Sequence, residues 1–359
     1  MKPELEELRK KIDLIDTELL RLLNERAELV HNVGLIKKRS NLEIYAPERE
    51  ERLLQNLINR SKGRLPEKSL RAIYREIMSA ALALEEDLKI AFLGPEGTWT
   101  HQAAISKFGT SVEYASQHSL DDVFDQVERK HAAYGVVPIE NSTEGAVDHT
   151  LDLFADSVLR ICAQILLPIE NHLLSKTDRE KIKKIYSHPW VLGQCCKWIT
   201  RHFAQAELVE VSSTAEAAEL ARKEEESAAI GGSLLAELYD LTILESGIQD
   251  QAHTWTRFLV IGHRTSPPTG KDRTCLMFSV RDEPGSLVNA LAPFNQFQIN
   301  LSKIESRPKR GAQGEQYFYV DLAVHCTDPP FITALERLQT HCTFVKILGS
   351  YPEVEPRNP

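Results

Sequence analysis

A chain of 359 residues, 42% hydrophobic and 26% charged, has the make-up of an ordinary globular protein and is long enough for two or three domains, each with its own core. Its formal charge of −9 argues against nucleic acid as a partner. No apolar run reaches about 18 residues and the N-terminus is charged and helical, so neither a membrane span nor a signal peptide is expected, and the expected location is cytoplasmic.

The first 88 residues carry only helical patterns, with 17 Lys+Arg against 17 Asp+Glu, so an anion would be held here by placed residues and not by a bulk field. From Leu5, apolar residues step 3, 4, 3, 4 through Leu8, Ile12, Ile15, Leu19 and Leu22, then resume at Leu29, Val33 and Ile36. A seam of this kind describes a long helix packed along its length against other helices. The slot between is Arg26, and a guanidinium buried there costs several kcal/mol unless something negative meets it. Lys37 follows close to three full turns later, so both cations project from one stripe roughly 16 Å apart and could clamp a small dianion. Arg9 points about 100° away around the helix, so only the partner of a symmetric dimer could bring it to the same pocket. A second helix opens after Pro47, in YAPERE, and a third runs from about Pro66 to Leu88.

LRKKIDLIDTELLRLLNERAELVHNVGLIK followed by YAPERE resembles the all-helical chorismate mutases over nearly all of this section. The resemblance implies that Arg26, Lys37 and Arg49 bind the two carboxylates and ether oxygen of chorismate, that Arg9 reaches in from the other subunit of a homodimer, and that Glu50 accepts the substrate hydroxyl. The family's last ether-oxygen donor, usually Gln and sometimes Glu, is Glu85 here, and Ala81 replaces a frequent serine one turn earlier. A carboxylate donates a hydrogen bond only when protonated, so mutase activity is expected to rise toward acid pH. A Claisen rearrangement needs no nucleophile or base; it needs the chair-like conformer held and charge on the ether oxygen stabilised, which positioned cations supply.

From Lys89 the pattern changes to strand–helix alternation: KIAFLG, SVEYAS and YGVVPIE, later KIYSH, ELVEVSS, AAIGG and TRFLVIGH, with amphipathic stretches between them. Parallel-type α/β layers in two lobes with a cleft are expected. GPEGTWTHQAA, residues 94–104, is neither GxGxxG nor a P-loop. Its glycine turn sets Thr98 and free backbone N–H groups at a helix N-terminus, where a carboxylate can sit. VPIENSTEGAVDHTLDLF, YSHPWVLGQC and HTWTRFLVIG place Asn141, Ser142, Ser187, Gln194 and Thr256 at strand ends or helix starts, where ligands bind in α/β folds. No Ser–His–Asp order or metal set is visible, and His101 and His188 read as polar supports. The six cysteines show no CxxC pair and read as ordinary thiols.

Together these stretches are similar to the prephenate dehydratases across 89–264. The resemblance implies a two-lobed fold like that of periplasmic binding proteins. It makes Thr256 the hydroxyl that helps the C4 oxygen of prephenate depart, with Phe258 facing the same side of the strand. Thr98, Asn141, Ser142, Ser187 and Gln194 would fix the substrate. Where the family usually has Asn and Gln this chain has Thr254 and Trp190.

TSPPTGK, residues 265–271, reads as a linker. Beyond it the order strand, helix, strand, strand, helix, strand suits a small ferredoxin-like α+β sandwich. RDEPGSLVNAL and SKIESRP resemble the ACT-type amino-acid-binding domains, which implies a phenylalanine site built from Gly285, Ser286, Leu287, Val288, Glu305, Ser306, Arg307 and Pro308.

The expected protein is therefore multidomain: a helical mutase domain over 1–88, an α/β dehydratase domain over 89–264 and an ACT regulatory domain over 272–359. It would turn chorismate into prephenate and prephenate into phenylpyruvate without a cofactor, under inhibition by phenylalanine. Two alternatives stay open: a dehydratase whose helical section is only a dimer arm, and a non-catalytic amino-acid-sensing binding protein.

Overall fold

Proline at the first helical position and long runs of good helix formers set out three helices in the N-terminal section. In the computed structural model these are α1 (Lys2–Arg39), α2 (Pro47–Arg60) and α3 (Glu67–Glu85). The described residues are 2–40, 45–143, 145–251, 254–309 and 315–354. The chain divides into two units, Met1–Leu88 with Phe108–Glu113, and Lys89–Lys107 with Tyr114–Pro359.

In the first unit α1 does not pack along its whole length, contrary to the seam's expectation. Leu5, Leu8, Ile12, Ile15, Leu19 and Leu22 keep 47–60% of their surface exposed. The reason is length: 38 residues rise about 57 Å, whereas the 14 and 19 residues of α2 and α3 rise only about 21 and 28 Å. In the C-terminal part of α1 only the stripe with Val30, Val33 and Gly34 is covered, while the seam residues Leu29 and Ile36 stay 62% and 60% exposed. Gly34 lies so close to α3 that a Cβ there would sit 3.0 Å from the Glu85 side chain and 3.2 Å from its Cα. The segment 108–113 joins this unit: Thr110 donates to Glu76, Ser111 N–H to Ser79 Oγ, and Phe108 packs on Tyr45.

The second unit opens with β1 (Lys89–Leu93), α4 (Trp99–Phe108), β2 (Glu113–Gln117), α5 (Leu120–Glu128), β3 (Tyr134–Asn141), β4 (Gly145–Ala146), α6 (Asp148–Asp156) and β5 (Arg160–Pro168). It crosses to β6 (His172–Ser175), β7 (Lys184–Ser187), α7 (Pro189–Gln194), α8 (Cys196–His202), β8 (Glu207–Glu210), α9 (Thr214–Lys223), β9 (Ser227–Gly231), α10 (Leu234–Tyr239) and β10 (Thr242–Glu245). It returns as β11 (Trp255–Gly262). One sheet runs β2-β1-β3-β11-β5 with β4 on β3, and the second runs β10-β6-β9-β7-β8. The layers are mixed where parallel ones were expected: β1 and β3 are parallel, as are β7 with β8 and β9, but β11 is antiparallel to β3 and β5, and β6 to β9 and β10. The strands that leave and re-enter a sheet at the crossings need no crossover helix, so they can run against their neighbours.

The last section follows as β12 (Asp272–Ser279), α11 (Ser286–Gln296), β13 (Leu301–Pro308), β14 (Gln316–Leu322), α12 (Pro329–Gln339) and β15 (Phe344–Pro352), with sheet order β13-β14-β12-β15. One face of this sheet packs on both helices around Leu276, Phe278, Phe294 and Phe331. The other joins the first sheet in a shared core with Met277, Tyr319, Leu348, Leu259 and Ile261. Helix α6 is held along its length from that sheet: Arg307 pairs with Asp148 at 2.6 Å, Tyr319 donates to the Leu151 carbonyl, and the Lys346 ammonium donates to the carbonyls of Phe154, Ala155 and Ser157. The TSPPTGK stretch is anchored rather than free, because Ser266 is buried, donates to the Cys162 carbonyl and offers its own carbonyl to His325. None of the described helices is long and apolar enough to cross a membrane.

Candidate active sites

Spacings of 4, 3 and 4 put Arg26, Val30, Val33 and Lys37 on one stripe of α1. That stripe, the first turn of α2 with Arg49 and Glu50, and the last turns of α3 with Met78, Ala81, Leu82 and Glu85 enclose a cavity of about 420 Å³. The size falls within the ordinary range for small-molecule pockets. Arg26 is half-buried, lines the cavity and makes no ion pair among the described residues. A cation held without a partner at the wall of a cavity is a site prepared for an anion. Lys37 has a negative neighbour: its ammonium lies 2.9 Å from a Glu85 carboxylate oxygen, the side chains 15% and 8% exposed. Glu85 therefore accepts a charge-assisted hydrogen bond here, where the sequence had made it a protonated donor. Arg9 is exposed on α1 and does not line the cavity.

The second constellation lies where strands end. β1 and β3 are parallel and β11 runs against β3, so the ends of β1 and β3 and the start of β11 share one edge of the first sheet. Thr256 and Asn141 are direct cross-strand partners in that register. Asn141 Oδ1 accepts the Thr143 backbone N–H at 2.9 Å, a donor that admits no other assignment. The other end of the amide is then the NH2 group, and it donates to Thr256 Oγ1 at 2.9 Å. With its lone pair so engaged, the Thr256 hydroxyl keeps its own hydrogen for another acceptor. Arg257, Leu259 and Ile261 face the core shared with the last sheet, so by alternation Thr256 and Phe258 face the opposite side. Ser142 brackets the start of β11, with its N–H on the Trp255 carbonyl and its Oγ accepting from Trp255 N–H. His253, the first residue of that sequence stretch, lies outside the described residues.

Thr98 closes the GPEGT turn. Its hydroxyl donates to the Leu93 carbonyl and accepts from His101 N–H, and Gly97 N–H donates to His101 Nδ1 at 3.1 Å. His101 stacks on Phe92 with ring centroids 4.4 Å apart. Burial holds its imidazole below the ordinary range, only partly offset by the Glu96 carboxylate, which keeps Nδ1 available as an acceptor. Gly97 has φ +86° and a Cβ there would meet Leu235 of α10 at 2.5 Å, so turn geometry and close approach both require glycine.

Across from this edge, a Cβ on Gly232 would meet Gln102 and Trp99 of α4, which brings the end of β9 to the same place. Ser187, at the end of neighbouring β7, is fully buried and donates to the Ile230 carbonyl, so it braces the strand end and reaches no substrate. Gln194 is half-exposed; its side-chain oxygen accepts from Asn171, and its carbonyl from Asp250 N–H. Asn171 escaped the sequence reading. It sits in the β5–β6 crossing, with its N–H on Gln249 and its carbonyl on Ile248 N–H, and so ties both crossings to Gln194. A lone asparagine in LPIENHLL carried no signal that could have found it.

In the last section Gly285 caps α11 with φ +85°, half-buried Leu287 packs on the helix core and Val288 is 71% exposed. Alternation on β13 separates the other candidates: Glu305 and Arg307 face inward while Ser306 and Pro308 are exposed. No hydrogen bond among the described residues joins 285–288 to 305–308.

Comparison with known proteins is consistent across the chain. The family described as Chorismate mutase type II matches residues 8–86 and that described as Prephenate dehydratase matches residues 90–266. A bifunctional chorismate mutase/prephenate dehydratase of Aquifex aeolicus is 46% identical over 355 residues, 98% of each chain. Among solved structures, a prephenate dehydratase from Arthrobacter aurescens in complex with L-Phe is 32% identical, with TM-score 0.69 over 76% of this chain and 92% of that one. A quorum-quenching acylase shares the fold equally well, with TM-score 0.69 at 27% identity over 74% of this chain and 98% of that one. Fold alone therefore does not decide the chemistry. The full-length relative and the two family matches do: the chain belongs to the bifunctional chorismate mutase/prephenate dehydratase family, enzymes that isomerise chorismate and dehydrate prephenate.

Proposed function

We propose that residues 1–88 carry the mutase site, 89–264 the dehydratase site and 272–359 a regulatory ACT domain. The observation that carries the assignment of residues is the pair of prepared sites: Arg26 at a cavity wall with no ion pair among the described residues, and Thr256 with its hydroxyl hydrogen left free by Asn141.

In the mutase site Arg26, Lys37 and Arg49 hold the two carboxylates and ether oxygen of chorismate, and Glu50 accepts its hydroxyl. Bound in the folded conformer, the substrate loses the rotational freedom that slows the reaction in water. Arg9 comes from the partner of a homodimer, for which the exposed apolar face of α1 is the support. In the dehydratase site Thr256 donates to the C4 oxygen of prephenate while Asn141, Ser142, Thr98 and Gln194 fix the rest of the molecule, and Phe258, on the same face of β11 but only 1% exposed, supports the strand from within. The C–O bond breaks as the carboxylate leaves as CO2, its bonding pair enters the ring, and the departing oxygen takes a proton to become water. A weak acid suffices because ring formation drives the departure. The two-sheet body with two crossings supports a binding-protein-like cleft between lobes, and the C-terminal sheet order supports a ferredoxin-like sandwich. The relative whose structure holds L-Phe supports inhibition by phenylalanine at the Gly285–Val288 and Glu305–Pro308 motifs. The enzyme acts in the cytoplasm and needs no cofactor.

The test is Thr256→Ala in the whole chain: dehydratase turnover falls by at least about 10²-fold, a typical acid–base contribution, while mutase turnover persists. Equal loss of both activities would overturn the separation of sites. Absence of calorimetric phenylalanine binding at millimolar concentration would overturn the regulatory assignment.

A further inference from the structure

Behind the Asn141–Thr256 pair, on the opposite face of the same two strands, lies a charge cluster that the chemistry above does not use. Arg257 and Glu140 are cross-strand partners in the next register position. Arg257 is 4% exposed; its Nη1 lies 2.6 Å from Asp321 Oδ2 of β14 and 3.6 Å from Glu140 Oε2, and its Nη2 donates to the Tyr351 hydroxyl of β15 at 2.7 Å. Lys303 of β13 reaches Glu140 at 3.0 Å, and Arg273 of β12 reaches Asp321 at 3.4 Å. Three of the four strands of the C-terminal sheet, β13, β14 and β15, thus place a polar side chain on the two strands that carry the dehydratase residues, and Arg273 of the fourth braces Asp321.

A buried ion pair is a poor device for stability, since desolvation offsets most of its attraction. It is a good device for geometry: the planar guanidinium is satisfied only where its acceptors lie. Hydrophobic packing alone would tolerate small slides of one sheet over the other, whereas this cluster would not. Each residue on β3 and β11 that reaches the cluster is the immediate neighbour of a residue in the reactive pair: Glu140 of Asn141, and Arg257 of Thr256.

We propose that Arg257 is a positioning residue for the dehydratase, anchored on Asp321 and Tyr351 of the C-terminal sheet, so that this sheet sets the alignment of Thr256 on Asn141 even when no effector is bound. The inference rests on the assignment of Thr256 as the reacting hydroxyl. It makes the C-terminal section part of the catalytic framework, not only a sensor, and any movement of that sheet would act on the reactive pair through these contacts.

The experiment compares full-length Asp321→Asn and Tyr351→Phe with the unmodified protein and with Thr256→Ala. It measures dehydratase kcat and KM with prephenate, mutase kcat with chorismate as the reference in the same chain, and thermal unfolding. Tyr351→Phe removes only a hydroxyl, and it decides the case if Asp321→Asn does not fold. Expected is a dehydratase kcat lowered about 10- to 100-fold, the scale set by misplacing a reacting group by up to about 1 Å, with KM within about threefold and mutase kcat unchanged. Assays run well below the unfolding transition, so a merely structural role would lower the transition and leave kcat alone. Dehydratase kcat within about twofold of the parent in folded Tyr351→Phe, with Thr256→Ala inactive, overturns the positioning role and leaves the site assignment standing. A fully active Thr256→Ala overturns the assignment itself, and the inference with it.

Discussion

The Lys37–Glu85 pair makes Glu85→Gln the most informative substitution in the helical site. With the carboxylate ionised, chorismate must draw Lys37 away from a charge-assisted bond 2.9 Å long in a pocket that leaves Glu85 only 8% exposed. With an amide the bond is still to a charged ammonium; what is lost is the attraction of the second charge, about 1–1.5 kcal/mol at 2.9 Å in a water-like dielectric. The substitution therefore lowers the cost of releasing Lys37 by roughly five- to tenfold in affinity. The amide also supplies what the anion lacks, an N–H donor aimed at the ether oxygen. Two effects thus act in the same direction on mutase kcat/KM near neutral pH. Prephenate is a dianion like chorismate, so the product should bind the variant more tightly by a similar factor.

The assay is the steady-state conversion of chorismate near neutral pH, with prephenate added as inhibitor in a second series. In the variant kcat/KM exceeds that of the parent by about five- to tenfold, and prephenate inhibits more strongly. A variant whose kcat/KM falls would refute the reasoning, because that result means that the ionised carboxylate has a task of its own in the reaction.

Arg9→Ala and Arg26→Leu should each lose mutase activity while keeping dehydratase activity. Unfolding and refolding the two together should restore about a quarter of the parent's mutase activity, since half of random dimers are hybrids with one intact site of two; no recovery would place Arg9 outside the partner's pocket. Asn141→Asp keeps the acceptor for Thr143 but replaces the NH2 that faces Thr256 with an oxygen, so the threonine hydrogen turns toward it; dehydratase kcat should fall by about 10²-fold with the mutase unaffected. Burial depresses the His101 pKa, so the unfolded chain binds the proton first. The stability His101 contributes is complete above its ordinary value of about 6.5 and is lost as pH falls below that value toward the folded one. The unfolding temperature should drop across that window, with a shallower slope in His101→Gln.

Much of this was legible in the residues, and for stated reasons. An arginine in a seam slot announces itself because apolar periodicity predicts something else there, and the spacing to Lys37 placed both on one wall of the cavity. The seam misled in one respect: a repeat records that a face is to be covered, not by which chain, and here the seam residues from Leu5 to Leu22, with Leu29 and Ile36, find no cover among the described residues. Strands β5 and β6 were missed because RICAQILLP and HLLS are apolar runs without alternation, buried on both faces. Asn171 and Asp321 were beyond reach for another reason. Their partners lie 23 and 64 residues away, and a hydrogen bond across such separations leaves no mark in local sequence.

The two sites solve opposite electrostatic problems. In the mutase both substrate and product are dianions and the reaction only redistributes charge; on the proposed assignment Arg26, Lys37 and Arg49 meet that charge, and Glu85 is the counterweight that limits how firmly Lys37 holds the product. In the dehydratase the substrate loses a carboxylate and an oxygen: a strong cation beside the carboxylate would stabilise the ground state that has to be left, and one beside C4 would help only if charge on the departing oxygen, and not ring formation, limited the rate. The groups assigned to its reactive edge are accordingly neutral, Thr98, Asn141, Thr256 and Gln194, and the charged neighbours of Thr256 and Asn141 in sequence, Arg257 and Glu140, are on the other face of the sheet and spent on Asp321 and Lys303. Introducing a cation at the edge therefore should not help: Thr256→Lys would bind prephenate more tightly, with lower KM, and turn it over more slowly. A faster Thr256→Lys enzyme would show that charge stabilisation of the departing oxygen, and not ring formation, limits the rate.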